Sequence, residues 1–169
     1  NFLNDDDFFR DKDKYKYKRI SENQEKIIGV EIRQQNKQGD KFLIIADALE
    51  EIESKDQKVI LENSLTTIDQ KGILTKISAG NAIITNDYND FIFSNKVKIT
   101  KKTRKFTLTT QTLTGTFKKG NYHTNDNVDI VSGNTVIEGR GLQIKKNGEY
   151  IKIKGKAKLR MLLLQKNAY

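Results

Sequence analysis

A short unit recurs four times in this chain and leaves few folds open to it. Its copies are Asn63-Ser-Leu-Thr-Thr, Asn95-Lys-Val-Lys-Ile, Asp126-Asn-Val-Asp-Ile and Gly155-Lys-Ala-Lys-Leu. Each starts on Gly, Asn or Asp and continues as strand-like alternation, and the starts lie 32, 31 and 29 residues apart. A weaker unit precedes each copy by 16 or 17 residues: Ala46-Asp-Ala-Leu, Ala79-Gly-Asn-Ala, Thr110-Gln-Thr-Leu and Gly139-Arg-Gly-Leu. Self-similarity at so regular a period marks stacked strand–turn–strand units that share one core.

The segments between turns have the length of long strands. Turn signals such as Gln38-Gly-Asp, Asp69-Gln-Lys-Gly, Lys118-Lys-Gly-Asn and Lys146-Asn-Gly-Glu are separated by stretches of about ten residues, many of which alternate. Asn147-Gly148 is the strongest hairpin signal, because both central residues of a type I′ turn need positive φ. Ile151, Ile153, Ala157, Leu159 and Met161 share one parity, and Lys152, Lys154, Lys156, Lys158 and Arg160 the other. Side chains alternate across a pleated strand, so one face there is apolar and the other cationic. Phe91, Phe93, Val97 and Ile99 likewise share a face, as do Tyr122, Val128 and Ile130. Helical periodicity is poor throughout, and the chain reads as all-β.

The residues that open each repeat fall on the apolar parity and interrupt it. Gly, Asn and Asp are the types that tolerate left-handed backbone. One at the same step of successive strands predicts a bulge or bend repeated in register, along which the whole sheet turns a corner. The expected architecture is an open, twisted jelly-roll of long antiparallel strands, folded over like a taco. Its predicted extent is residues 27–161, between a flexible, charged leader (1–26) and a tail (162–169) that abandons alternation.

Composition narrows the function. Apolar residues make up 36% of the chain, which suits a sheet with one wet face. Without cysteine there is neither a disulfide nor a thiol nucleophile, and without proline every backbone N–H can join a ladder. Charge is uneven: residues 1–70 hold 12 basic and 16 acidic groups, residues 71–169 hold 19 and 6. Basic strand faces keep edges from self-pairing, and they can also attract an anionic partner. Charge alone favours the first reading. No apolar run is long enough to span a bilayer, but the chain begins at Asn, so an upstream membrane anchor that has been removed is expected.

Catalytic material is scarce. The single histidine, His123, is expected on the outer face of a strand, and one His with no Cys excludes the common zinc sets. The six carboxylates after residue 70 lie mostly beside turns, and none stands out as a general acid or base. Gly139-Arg-Gly lacks the lysine and strand-to-helix setting of a phosphate loop. The Asp5-Asp-Asp run lacks the spacing of a calcium loop. Aromatics on the apolar parity argue against nucleic-acid binding. An unclosed sandwich with an apolar interior can hold acyl chains. No enzyme activity, metal or cofactor is expected.

Several segments resemble the LptC family of lipopolysaccharide-export proteins. They are Gly29-Val-Glu-Ile, Asp40-Lys-Phe-Leu-Ile-Ile-Ala-Asp-Ala, Val59-Ile-Leu-Glu-Asn, Phe93-Ser-Asn-Lys-Val, Asn127-Val-Asp-Ile-Val-Ser-Gly, and Ile137-Glu-Gly-Arg-Gly-Leu-Gln-Ile through Gly155-Lys-Ala-Lys-Leu. The soluble bridge protein LptA and the amino-terminal domain of LptD share this architecture. The resemblance implies a single-pass inner-membrane protein with a periplasmic jelly-roll. It would accept lipopolysaccharide from the LptB, LptF and LptG complex at its N-terminal edge and pass it to an LptA-like bridge protein at its C-terminal edge. In that picture Phe91, Phe93, Val97, Ile99, Leu108, Tyr122, Val128, Ile130, Ile151, Ile153 and Leu159 line a lipid trough. The docking edge is Ile151, Lys152, Lys154, Lys156, Ala157, Lys158 and Leu159. The alternatives are a soluble LptA-like bridge, a structural or adaptor module with a dry core, and a carbohydrate-active jelly-roll enzyme.

Overall fold

Alternating strands joined by short turns pair most readily with their chain neighbours, and the fold is such a meander. A computed structural model describes residues 15–19, 26–52 and 58–161, with side chains from residue 26 onward. The described residues form one antiparallel sheet of eleven strands in chain order: β1 (Tyr15–Arg19), β2 (Lys26–Gln35), β3 (Lys41–Ile52), β4 (Lys58–Gln70), β5 (Ile73–Thr85) and β6 (Asp90–Lys101), followed by β7 (Phe106–Thr116), β8 (Asn121–Ser132), β9 (Thr135–Lys145), β10 (Tyr150–Ile153) and β11 (Ala157–Met161). β10 and β11 both pair with β9 and form a single broken edge. The sheet does not close on itself, as an open jelly-roll requires.

Every long strand bends near its middle, and the bends fall in register. Gly29, Asn63, Asn95, Lys96 and Gly141 have positive φ at the crossing. The pairing shifts by one residue between Ser78 and Asn81, Ser94 and Val97, Thr110 and Thr114, and Thr124 and Asn127. Side chains cross-link the line from strand to strand. Asn63 Nδ2 donates to Asp47 Oδ2 (2.9 Å), Asn95 Nδ2 to Asn81 Oδ1 (3.4 Å), and Thr112 Oγ1 to Asp126 Oδ2 (2.5 Å). The last member, Gly155, closes the line with its N–H on the Arg140 carbonyl at 2.9 Å. The repeat-opening residues are therefore the corner. Asp126 reaches it without a left-handed backbone, through the Thr112 bond and an N–H donated to Thr124 Oγ1 at 3.1 Å.

The corner divides the sheet into two facing leaves. Residues on the 36–40, 71–72, 102–105 and 133–134 side of it form the first leaf. Those on the 86–89, 117–120 and 146–149 side form the second. Their inner faces make one core, led by Phe91, Phe93, Phe117, Ile44, Leu61 and Leu108. Where the leaf tips meet, Phe117 stacks between them. Its ring lies 5.4 Å from Phe42 of the first leaf and 4.6 Å from Phe91 of the second.

Two sequence expectations need adjusting. Asn147-Gly148 does not make a two-residue turn: residues 146–149 connect β9 to β10, with positive φ at Lys146, Asn147 and Gly148. The extra residues let Asn147 turn its side chain inward. Within the stretch read as a leader, Tyr15–Arg19 pairs with β2 as a strand, in keeping with its alternation of Tyr and Lys. The rest of that leader up to residue 25, and the tail from residue 162, lie outside the described residues.

The corner predicts an asymmetry between substitutions. A β-branched residue in the left-handed region costs about 1–2 kcal/mol or more. Asn95→Val is expected to lower the urea midpoint accordingly, while Asn95→Gly leaves it nearly unchanged. Equal losses in the two variants would mean that the Asn95 side chain, and not its backbone, holds the bend.

Candidate functional site

Interior residues line up in rows that cross the sheet, because directly paired residues point to the same face. In the first leaf one row runs from Ile32 through Ile44, Thr66, Ile77, Ile99, Leu108, Ile130 and Ile137 to Leu159. In the second leaf another runs from Val59 through Ile84, Phe91, Gly115, Tyr122 and Ile144 to Ile151.

Cover along these rows is lost toward one end. Ile27, Val30 and Ile32 of β2 are buried, as are Ile99, Leu108, Val128 and Ile130. Ile137 and Ile153 are partly buried against the core. At the last strand the same face is uncovered: Ile151 is 42% exposed, Leu159 61% and Met161 63%. No described element lies over them, so the apolar interior runs out to solvent along β10 and β11.

The eleven residues named for the trough thus separate into two groups. Phe91, Phe93, Val97, Ile99, Leu108, Tyr122, Val128 and Ile130 sit together in a packed core, with Phe91 and Phe93 stacked at 4.5 Å. Ile151 and Leu159 form its uncovered end, with Ile153 partly buried beside them. On the opposite face of that edge Lys152, Lys154, Lys156 and Lys158 are exposed, Ala157 lies on the apolar face, and Arg160 pairs with Glu138 at 2.7 Å. His123 is on the outer face as expected. Partial burial and, secondarily, the Lys154 ammonium hold its pKa below the usual value.

Polar contacts tie the leaf tips together. Gln34 donates its side-chain amide to the Tyr88 carbonyl, and Asn36 Nδ2 reaches the Lys118 carbonyl at 3.5 Å. Lys101 Nζ donates to the Asn147 carbonyl at 2.9 Å. Asn147 is the centre of this seam. It is buried, its Oδ1 accepts the Tyr122 hydroxyl, and its N–H donates to the Gly120 carbonyl at 2.9 Å. Sequence reasoning missed Asn147 as more than a turn residue. The signal that marked it, a turn-type Asn, is the same whether its side chain points in or out.

Among the described residues no three His, Asp or Glu side chains converge on a point where a metal could sit. No described helix is long and apolar enough to cross a membrane. A folded-over, one-ended apolar sheet defines a β-taco module. The family described as lipopolysaccharide-assembly, LptC-related, matches residues 3–161, and the chain belongs to that family. No curated protein matches it.

The buried phenols predict an alkaline transition. Burial pushes the Tyr88 hydroxyl up to about 12, and raises Tyr122 as well, with Asp40 adding to the effect. Both folded values lie above the ordinary 10.0, so this stabilisation is complete below that pH and is lost as pH rises through the folded values. Tyr122→Phe is expected to cost about 1–3 kcal/mol near neutrality by leaving Asn147 Oδ1 unpaired, and to shallow the alkaline decline. Urea midpoints on either side of the phenol range test this. An undiminished decline in the variant would assign the transition to other groups.

Proposed function

We propose that this domain carries lipopolysaccharide without catalysis. It takes the lipid up at the inner membrane and passes it along its apolar interior to a periplasmic bridge protein. The uncovered end of the interior rows carries this reading. Ile151, Leu159 and Met161 expose apolar area on the core face of an edge strand, at a place where a monomeric sandwich would close itself. A second module of the same architecture, added strand to strand at β10–β11, would continue both the ladder and the apolar rows. The cationic outer face of that edge disfavours pairing between identical copies, so it selects a different partner.

Acyl chains enter by parting the leaves. The corner line is the hinge, since its Gly and Asn residues already occupy left-handed backbone, and the seam at the tips includes polar contacts from Asn36 and Lys101 and the Phe117 ring. Each buried methylene returns about 0.8 kcal/mol, so a lipid's chains replace the leaf-to-leaf packing they displace. The N-terminal edge, with β1 and β2, is the side offered to the LptB, LptF and LptG complex. An anchor upstream would hold the domain in the periplasm at the inner membrane.

Photo-crosslinkers report the route. During ATP-driven transport, probes at Phe93, Ile99 and Ile153 are expected to capture lipopolysaccharide, and probes at Lys98 and Lys152 on the outer face are not. Without ATP, Phe93 should lose capture while the half-covered Ile153 keeps part of it. Equal labelling of both faces would end the trough reading.

The edge has its own test. Lys156→Glu combined with Lys158→Glu is expected to weaken capture of an LptA-like partner several-fold, with the thermal midpoint nearly unchanged because both side chains are exposed. Undiminished capture would place the hand-over on the β1 side.

A further inference from the structure

Between the leaf tips lies a cleft of about 500 Å³ that the apolar route does not use. Four cations line it: Lys71 from the β4–β5 turn, Lys101 at the end of β6, Arg104 from the next turn and Lys146 from the β9–β10 turn. Both leaves contribute, so the cluster exists only where the seam is closed. Two carboxylates also line the cleft. Asp40 is tied to Asn36, accepting from Asn36 Nδ2 at 3.0 Å and sending its own N–H to Asn36 Oδ1 at 2.9 Å. Glu149 is the other, and it acts on Lys101 only at a distance.

Lys101 forms the floor. It is half-buried, and its ammonium donates to a neutral carbonyl, that of Asn147, instead of a carboxylate. Burial and the nearby Arg104 guanidinium both push its pKa down, against a weaker opposing pull from Glu149. A part-buried cation facing another cation is short of negative charge, and an entering anion supplies it.

We propose that this cleft is a phosphate-binding site, and that its occupant is the phosphate group of a lipid headgroup held at the seam while the acyl chains lie between the leaves. Phosphate suits the lining, since Lys71, Lys101 and Arg104 of the first leaf and Lys146 of the second, whose ammonium lies 5.5 Å from the Tyr150 ring centroid, all border the cleft, and charge-assisted bonds to phosphate oxygens are the strong class. The site itself rests on the cleft; the choice of a lipid as its source rests on the transport reading above. A bound phosphate would bridge Lys101 and Arg104 of the first leaf with Lys146 of the second, and so would close the seam over a loaded interior.

The test uses the whole chain and two kinds of probe. Inorganic phosphate is titrated while backbone amide shifts are followed by NMR. The expected shifts centre on Lys101 and residues 146–149, and are lost in an Arg104→Gln, Lys146→Gln variant. An outer-face control, Lys76→Gln with Lys98→Gln, keeps them. Lipopolysaccharide is then offered with and without its phosphate groups. The cleft variant should lose about fivefold or more in affinity for the phosphorylated preparation and nothing for the dephosphorylated one. Phosphate shifts that survive in the cleft variant, or disappear equally in the control, overturn the site. If both preparations bind wild type and cleft variant equally, the transport reading stands and this proposal fails. If inorganic phosphate binds but neither preparation does, the cleft serves free phosphate, and both the lipid assignment and the transport reading fail.

Discussion

The bend shared by every long strand is the constraint on which the rest of the molecule depends. A flat antiparallel meander has two wet faces and no core. Folding it along one line lets each strand contribute to both leaves, so that strands of 10 to 13 residues bury their apolar side against themselves. The backbone accepts the fold because the line is built from Gly and Asn in left-handed conformation and is cross-linked by Asp47–Asn63, Asn81–Asn95 and Thr112–Asp126. Glycine is needed for a second reason at Gly80, where a Cβ would lie 2.5 Å from Asn95 Nδ2 and 2.9 Å from its carbonyl. The corner is close-packed as well as bent. A taco of this kind has open ends by construction, and here the apolar face is left uncovered at β10–β11.

Much of this was legible in the sequence, and what was not has a specific cause. The repeats stood out because every strand must cross the same line. Alternation was readable in β6 and β8, where Phe91, Phe93, Val97 and Ile99, or Tyr122, Val128 and Ile130, keep one parity through the corner. In β4 the inward residues change from Val59 and Leu61 to Ser64, Thr66 and Ile68, and in β5 from Ile77 and Ala79 to Ala82 and Ile84. An odd number of residues at the bend flips the face there, and simple alternation cannot follow it. Exposure was equally hidden. Ile151 and Leu159 share a parity that is buried elsewhere, but whether a facing layer covers the last strand depends on the partner leaf and not on local pattern.

The core also carries a cost that a purely structural module would have reason to remove. Ser64, Thr66 and Thr75 bury side-chain oxygens without a hydrogen-bond partner among the described residues. All three lie on the inner face of β4 and β5 in the first leaf, amid Ile68 and Ile77. An unpartnered buried hydroxyl costs about 1–3 kcal/mol. Valine would fill the two threonine sites at similar volume without that penalty.

That cost falls on the closed state alone. If the leaves part as proposed above, the same hydroxyls would meet water or the polar region of a lipid and recover their bonds, which would narrow the gap between closed and open forms. On that proposal the dry core and the lipid trough would be two occupancies of one space. The energetic question is which contacts the cargo replaces. In the transport reading proposed above, acyl chains would substitute for the aliphatic and aromatic packing of Phe91, Phe93 and Phe117, while the corner line would keep the leaves in register. A corner that is already bent and an interior that is not optimally apolar are both what the proposed opening would need.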